Sequence, residues 1–328
     1  MTTEKIEGTA RTTASRTSTL SLIGQALGRY GIVLAFLVLC LVLSFLSPYF
    51  LTTQNILNVL LQASINLVVS VGMTFVITSG GIDLSVGSIV AVAGMVMADV
   101  VARKWGIWVA VPLALLVGTL CGWFNGTLIT RLRLPPFIVT LGTMSILRGV
   151  ALIYNDGKPL YGLAQKELKV ISGDIASIPI PVIIALAVAL LAHFVLRHTT
   201  IGEYTTAIGG NEETARLSGI DVRRYKVIIY SISGLMCGLA GVILTARLSA
   251  AEPIAGTMYE LDAIAATVMG GTSLSGGEGT IFGTIIGALL MGVLRNGLNL
   301  LNIQSYYQQL VIGSVIVLAV AVDKLRKR

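Results

Sequence analysis

GGTSLSGGEG, residues 270–279, has an earlier counterpart in GGIDLSVG, residues 80–87. Aligned without a gap, Gly80 matches Gly270, Gly81 matches Gly271, Leu84 matches Leu274, Ser85 matches Ser275 and Gly87 matches Gly277. Each copy follows an apolar run and precedes one rich in Gly and Ala. Gly94 and Ala98 follow the first copy. Gly283, Gly287 and Gly292 follow the second, and Gly283-x-x-x-Gly287 has the spacing of closely packed membrane helices. The pattern is that of a helix interrupted by glycine, used twice. It divides the chain into two parallel repeat halves, approximately 56–155 and 225–322.

The solvent of these runs follows from composition. Of 328 residues, 55% are hydrophobic and 12% charged, and mean hydropathy is +0.86. A soluble domain carries about 25% charged residues. Half that leaves too little polar surface to face water, so lipid is the natural surrounding. The 36 glycines agree, since Gly is more frequent in membrane helices than in soluble ones. Cys40, Cys121 and Cys237 lie in apolar stretches with no Cys or His at metal spacing. They read as small buried hydrophobes.

Apolar runs cover 30–46, 56–78, 86–101, 107–130, 136–154, 178–197, 226–247, 259–270, 280–297 and 306–322. Several approach the ~20 residues that cross ~30 Å of hydrocarbon. The short runs 86–101 and 259–270 each abut a glycine cluster and read as half-helices. The expectation is an all-α polytopic membrane protein of about ten segments, with a transmembrane domain over 29–325. Residues 1–28, rich in Thr, Ser, Arg and Gly, read as a disordered cytoplasmic tail. A signal peptide would place its apolar run nearer the start and follow it with a small-residue cleavage site. The run ending in Ser47-Pro48-Tyr49-Phe50 fits a membrane anchor instead.

Lys and Arg set the expected orientation. With ten crossings and an internal N-terminus, most of the 23 fall inside. Arg131 and Arg133 occupy one inner loop. Arg197, Arg216, Arg223, Arg224 and Lys226 flank another, 198–225. Both termini are then cytoplasmic, in an inner (plasma) membrane. The net charge of +7 is thus a topology signal and not a nucleic-acid footprint.

Leu274-Ser275-Gly276-Gly277 also matches the LSGG signature of ABC-type ATPases. Such an ATPase needs a phosphate loop, G-x-x-x-x-G-K-[ST]. The only Gly-Lys pair, Gly157-Lys158, is followed by Pro159 and lacks the upstream Gly. The polar stretches are too short for a nucleotide-binding domain. The match is an accident of the glycine break.

In the inner loop, Asn211 is suited to cap a helix whose first turn carries Glu212 and Glu213, and Gly219 is suited to stop it. Glu213-Thr214-Ala215-x-x-x-Gly219 resembles the E-A-A-x-x-x-G coupling segment of ABC importer permeases, with Thr in place of the first Ala. GGIDLSVGS (80–88), IGGNEETARLSGI (208–220), YELDAIAATVMGGTSLSGGEGT (259–280) and NGLNLLNIQSYYQ (296–308) resemble the ribose-type monosaccharide permease family. The resemblance runs over nearly all of 30–325. It implies a permease subunit that pairs with a second copy or a related permease, docks a cytoplasmic ABC ATPase and receives sugar from a periplasmic binding protein. ATP hydrolysis would belong to the partner. Asn211, Glu212, Glu213, Ala215, Arg216 and Gly219 would form the coupling surface.

Sugar hydroxyls cost several kcal/mol in hydrocarbon without partners, so the path must offer hydrogen bonds. Polar residues inside segments are the candidates: Asn66, Asp83, Ser85, Asn125, Ser275 and Asn296. For Asp83 a capping role is an equal alternative. For the three Asn residues helix-to-helix bonding is the alternative. Arg148 is expected to pair with Asp83 or another carboxylate, or to snorkel. Asp262 reads as a cap. No catalytic set, metal spacing or cofactor turn is evident, so no enzyme activity, metal or cofactor is expected. An ion-coupled secondary transporter, a channel and a permease for another small polar solute stay open as alternatives.

Overall fold

The computed structural model describes residues 19–326 except residue 164. Thirteen helices appear in them: α1 (Thr19–Leu46), α2 (Thr53–Thr78), α3 (Val86–Ala102), α4 (Ile107–Arg131), α5 (Pro136–Tyr154), α6 (Gln165–Ser172), α7 (Ile180–His198), α8 (Thr200–Gly210), α9 (Glu212–Leu217), α10 (Val222–Leu248), α11 (Tyr259–Met269), α12 (Ile281–Leu300) and α13 (Ser305–Arg326). A two-residue hairpin, β1 (Asp174–Ile175) with β2 (Ile178–Pro179), lies between α6 and α7. The tail expected over 1–28 lies outside the described residues as far as 18. From Thr19 onward the chain is helical, and Leu20, Ile23 and Leu27 recur at helical spacing there.

Six helices, α2, α4, α5, α7, α10 and α12, are long and apolar enough to cross a bilayer. Shorter apolar helices cover 31–46, 86–102 and 305–318. The protein is a polytopic, all-α membrane protein. α2 is its axis: 78% of its apolar window is buried, against 22% for α5 and α7. α7, α10, α11 and α12 pack around α2. The outer helices present large apolar side chains, such as Phe45, Trp108 and Ile153, to the surroundings. With no water to drive helices together in lipid, close approach of small residues must do so. Gly118 and Gly122 on α4 face Gly234 and Gly238 on α10 so tightly that a Cβ at any of them would meet the opposing backbone.

The two glycine stretches end their helices by one device. After α2, Gly81 N–H donates to the Val76 carbonyl and Gly80 N–H to that of Ile77. After α11, Thr272 N–H donates to Thr267 and Gly271 N–H to Val268. Both are Schellman turns, which need a residue at positive φ. Gly80 (φ +79°) and Gly271 (φ +91°) supply it. The ungapped alignment pairs Gly80 with Gly270, so the structural register is shifted by one residue.

The turns differ beyond that point. Asp83 Oδ1 accepts from the Ser85 amide at 3.0 Å and starts α3 after a short connection. The second copy runs on through Gly276 and Gly277, both at positive φ, before α12 begins.

The connection between α10 and α11 is tied both to the segment after α5 and to α5 itself. Leu160 and Ala251 exchange backbone hydrogen bonds of 2.9 and 3.0 Å, joining the segment after α5 to the α10–α11 connection. Arg148 Nη1 donates to the Pro253 and Ala255 carbonyls at 2.7 and 2.8 Å. Among the described residues Arg148 forms no direct ion pair with Asp83 or another carboxylate, although Glu260 lies near enough to interact with its charge. Two carbonyls left free by the irregular α10–α11 connection take its charge.

Candidate functional site

Three segments distant in sequence converge where the first glycine stretch begins and the second nears its end. Gly277 N–H donates to the Thr78 carbonyl at 2.9 Å, joining the second stretch to the last residue of α2. Gly209, near the end of α8, sits against both. A Cβ there would strike the Thr78 carbonyl and the Gly277 amide, and one on Gly276 would strike the Gly209 carbonyl. Only a residue without a side chain lets these backbones approach so closely. Gly210 has no neighbour within 4 Å of where its Cβ would be. Thr74 and Thr284 hydroxyls 2.8 Å apart, and Thr267 donating to the Ser70 carbonyl at 3.3 Å, extend the union along α2, α11 and α12.

From this junction the chain passes directly into α9. Asn211 is its N-cap, with Oδ1 accepting from the Thr214 amide at 2.8 Å. Gly219 (φ +88°) closes it. Ala215 is buried in a small apolar cluster with Ile208 and Val222. The other face is open. Glu213 pairs with Arg216 across one turn, and Glu212 pairs with Lys226 of α10 at 2.6 Å. The hydrogen bond from Arg216 holds the Glu213 carboxyl below its usual range. Exposed pairs of this kind add little stability, so their charge is available to a partner. Leu217 is 75% exposed at the tip of α9. A groove of about 640 Å³ runs beside it. The α4–α5 connection, through Arg133, Pro135 and Pro136, forms its other wall.

The six path candidates do not gather in one place. Asp83, Ser85 and Asn125 form one buried chain with Ser233. Asn125 Nδ2 donates to Ser85 Oγ at 2.8 Å, Ser85 Oγ donates to Asp83 Oδ1 at 2.6 Å, and Ser233 Oγ donates to Asp83 Oδ2 at 3.0 Å. This ties the first glycine turn to α4 and α10. Asn125 Oδ1 is buried with no partner among the described residues. Asn296 exchanges amide hydrogen bonds with Asn55, at 2.8 and 3.0 Å, joining α12 to the start of α2. Asn66 accepts from Ser70 at 3.4 Å and borders a cavity. Ser275, unlike its counterpart Ser85, is exposed.

Asp262 is not a cap: Arg295 Nη2 donates to both its carboxylate oxygens, at 2.8 and 2.7 Å. Sequence reasoning passed over this pair because its members lie on different helices, α11 and α12. It also passed over Gly209, although the Gly209-Gly210 doublet directly before a capping Asn was visible.

Residues 55–320 match the family described as branched-chain amino acid transport system / permease component. The ribose import permease protein RbsC of Escherichia coli is 48% identical over 299 residues, 90% of this chain and 93% of that protein. RbsC of Haemophilus influenzae is 45% identical over 305 residues, 92% and 94% of the two chains. The D-allose transport system permease protein AlsC of Escherichia coli is 42% identical over 299 residues, 90% and 92%. No solved structure gives a significant match. With a polytopic helical fold, a match over most of its length and relatives this similar, the chain belongs to the ribose-type permeases of the branched-chain amino acid and ribose ABC permease family.

Proposed function

We propose that this chain is the membrane subunit of an importer for ribose or a similar monosaccharide. A periplasmic binding protein delivers the sugar, and a separate cytoplasmic ABC ATPase drives its passage. Two permease chains, identical or related, make the assembly, and both termini of each face the cytoplasm. The sugar class is supported by relatives named for ribose and D-allose. The motor reading rests on one observation: α9, charged and exposed, leads within a few residues into Gly209, where both glycine stretches meet.

The mechanism follows from that connection. An ATPase seated on α9 and in the adjoining groove pushes on α8. Gly209 passes the movement to the end of α2 and to the α11–α12 connection together, because it touches both. Two packed arrangements of these helices then open the path alternately to either side. Asn211 and Gly219 fix the length of α9, Ala215 anchors it, and Glu212, Glu213 and Arg216 meet the partner.

Reconstitution tests this. Liposomes holding the permease, its ATPase and the binding protein should accumulate radiolabelled ribose only with ATP and all three components. Glu213→Lys should lower uptake about tenfold or more, as expected for reversing a charge at an interface. The variant permease should still insert in the membrane. Sugar accumulation by the permease alone would overturn the reading.

A further inference from the structure

A cavity of about 150 Å³ lies between α2, α10, α11 and α12, at the end of the bundle away from α9. The 27-residue α10 starts beside α9, and at ~1.5 Å per residue it carries Arg247 about 40 Å away. The polar lining is Gln62 and Asn66 of α2, Arg247 of α10, Tyr259 and Asp262 of α11, and Arg295 of α12.

The Asp262–Arg295 pair alone could be a clamp between α11 and α12. That account leaves the rest unexplained. Arg247 is half-buried and makes no ion pair or side-chain hydrogen bond among the described residues. Arg295 Nε is buried without a partner. Polar groups within membrane helices are costly and mark solute routes. Here amides that donate and accept, a forked donor, a carboxylate and a phenol converge on a space that takes one small ring. Adjacent hydroxyls suit such groups, since each can bridge two partners at once. Ile65 and Met291 add apolar wall for the ring carbons.

We propose that this cavity is the entry subsite for the transported solute, a neutral, hydroxyl-rich ring of pentose size. The proposal rests on the sugar reading above. The subsite holds its solute weakly, because a site on a transport route must also release it.

The test uses the assembled transporter in liposomes, with ribose, arabinose and xylose as competing probes. Wild type is compared with Asn66→Leu, Gln62→Leu and Asn66→Asp, each as a purified complex. Loss of one half-buried hydrogen-bonding group that lines the cavity should lower ribose uptake about tenfold. The ribose-to-arabinose uptake ratio should also change, by about fivefold or more, in Asn66→Asp. Unchanged uptake in both leucine variants overturns the subsite and leaves the sugar reading standing. So does an equal loss for every sugar with a fixed ratio, which marks a structural role. A wild-type complex that imports a charged solute and no sugar overturns both.

Discussion

Asn55 and Asn296 bond to each other with both amide groups, and Asn55 also donates to the Phe50 carbonyl at 2.9 Å. Each amide is satisfied by the other, so losing one leaves the second without its partner. A double-mutant cycle with Asn55→Ala and Asn296→Ala, read by thermal unfolding in detergent, should give a coupling of about 0.5–1.5 kcal/mol. A coupling near zero would mean that the pair is not formed in the membrane protein. Asn296 was legible as a polar residue in an apolar run, and interhelical bonding was one of its two readings. Its partner was not legible, because Asn55 sits at the start of α2 beside Thr52, which reads as ordinary cap chemistry. Arg148 makes the same point. Its cost inside a helix was evident, yet its partners are backbone carbonyls of Pro253 and Ala255, which no residue type announces.

Among elements, the boundaries of the long helices followed from apolar runs, except that α1 starts at Thr19, well before the run 30–46, and both glycine interruptions fell where the sequence placed them. The loop 198–225 was read with one short helix but holds two, α8 and α9. α8 is built from Thr, Ile and three glycines, residues of low helix propensity, so local preference hid it. Packing against α7, α10 and the end of α2 supplies what propensity lacks. This contact yields a paired prediction. Gly209→Ala forces backbones apart and should abolish most sugar uptake while the ATPase still binds. Gly210→Ala meets open space and should retain uptake within about twofold of wild type, since nothing must shift to admit the methyl group. Equal uptake by the two variants, with ATPase binding measured by co-purification, would remove Gly209 from the transmission route.

For the whole molecule, composition alone indicated lipid as solvent, and exposed side chains such as Phe45, Trp108 and Ile153 agree. Orientation is a proposal, drawn from Lys and Arg about the inner loops. Single cysteines should report it in cells, in a background where Cys40, Cys121 and Cys237 are replaced. A cysteine at Asp156 should react with a membrane-impermeant maleimide from outside, and one at Leu217 only after permeabilisation. The reverse pattern would invert the topology. The sequence could not reveal how the ends of the bundle are built, because long-range backbone pairing depends on shape more than on residue type.

The bond pair between Leu160 and Ala251, with the Arg148 bridge beside it, has its own consequence for encounters. The segment after α5, α5 itself and the α10–α11 connection are held to one another by bonds within this chain alone. Ordering loops on contact normally consumes part of the free energy of association. Here that expense is already met during folding. If the binding protein proposed above docks on this side, it can let go again without the connections having to reorder, which suits a courier that must dock, unload and leave many times.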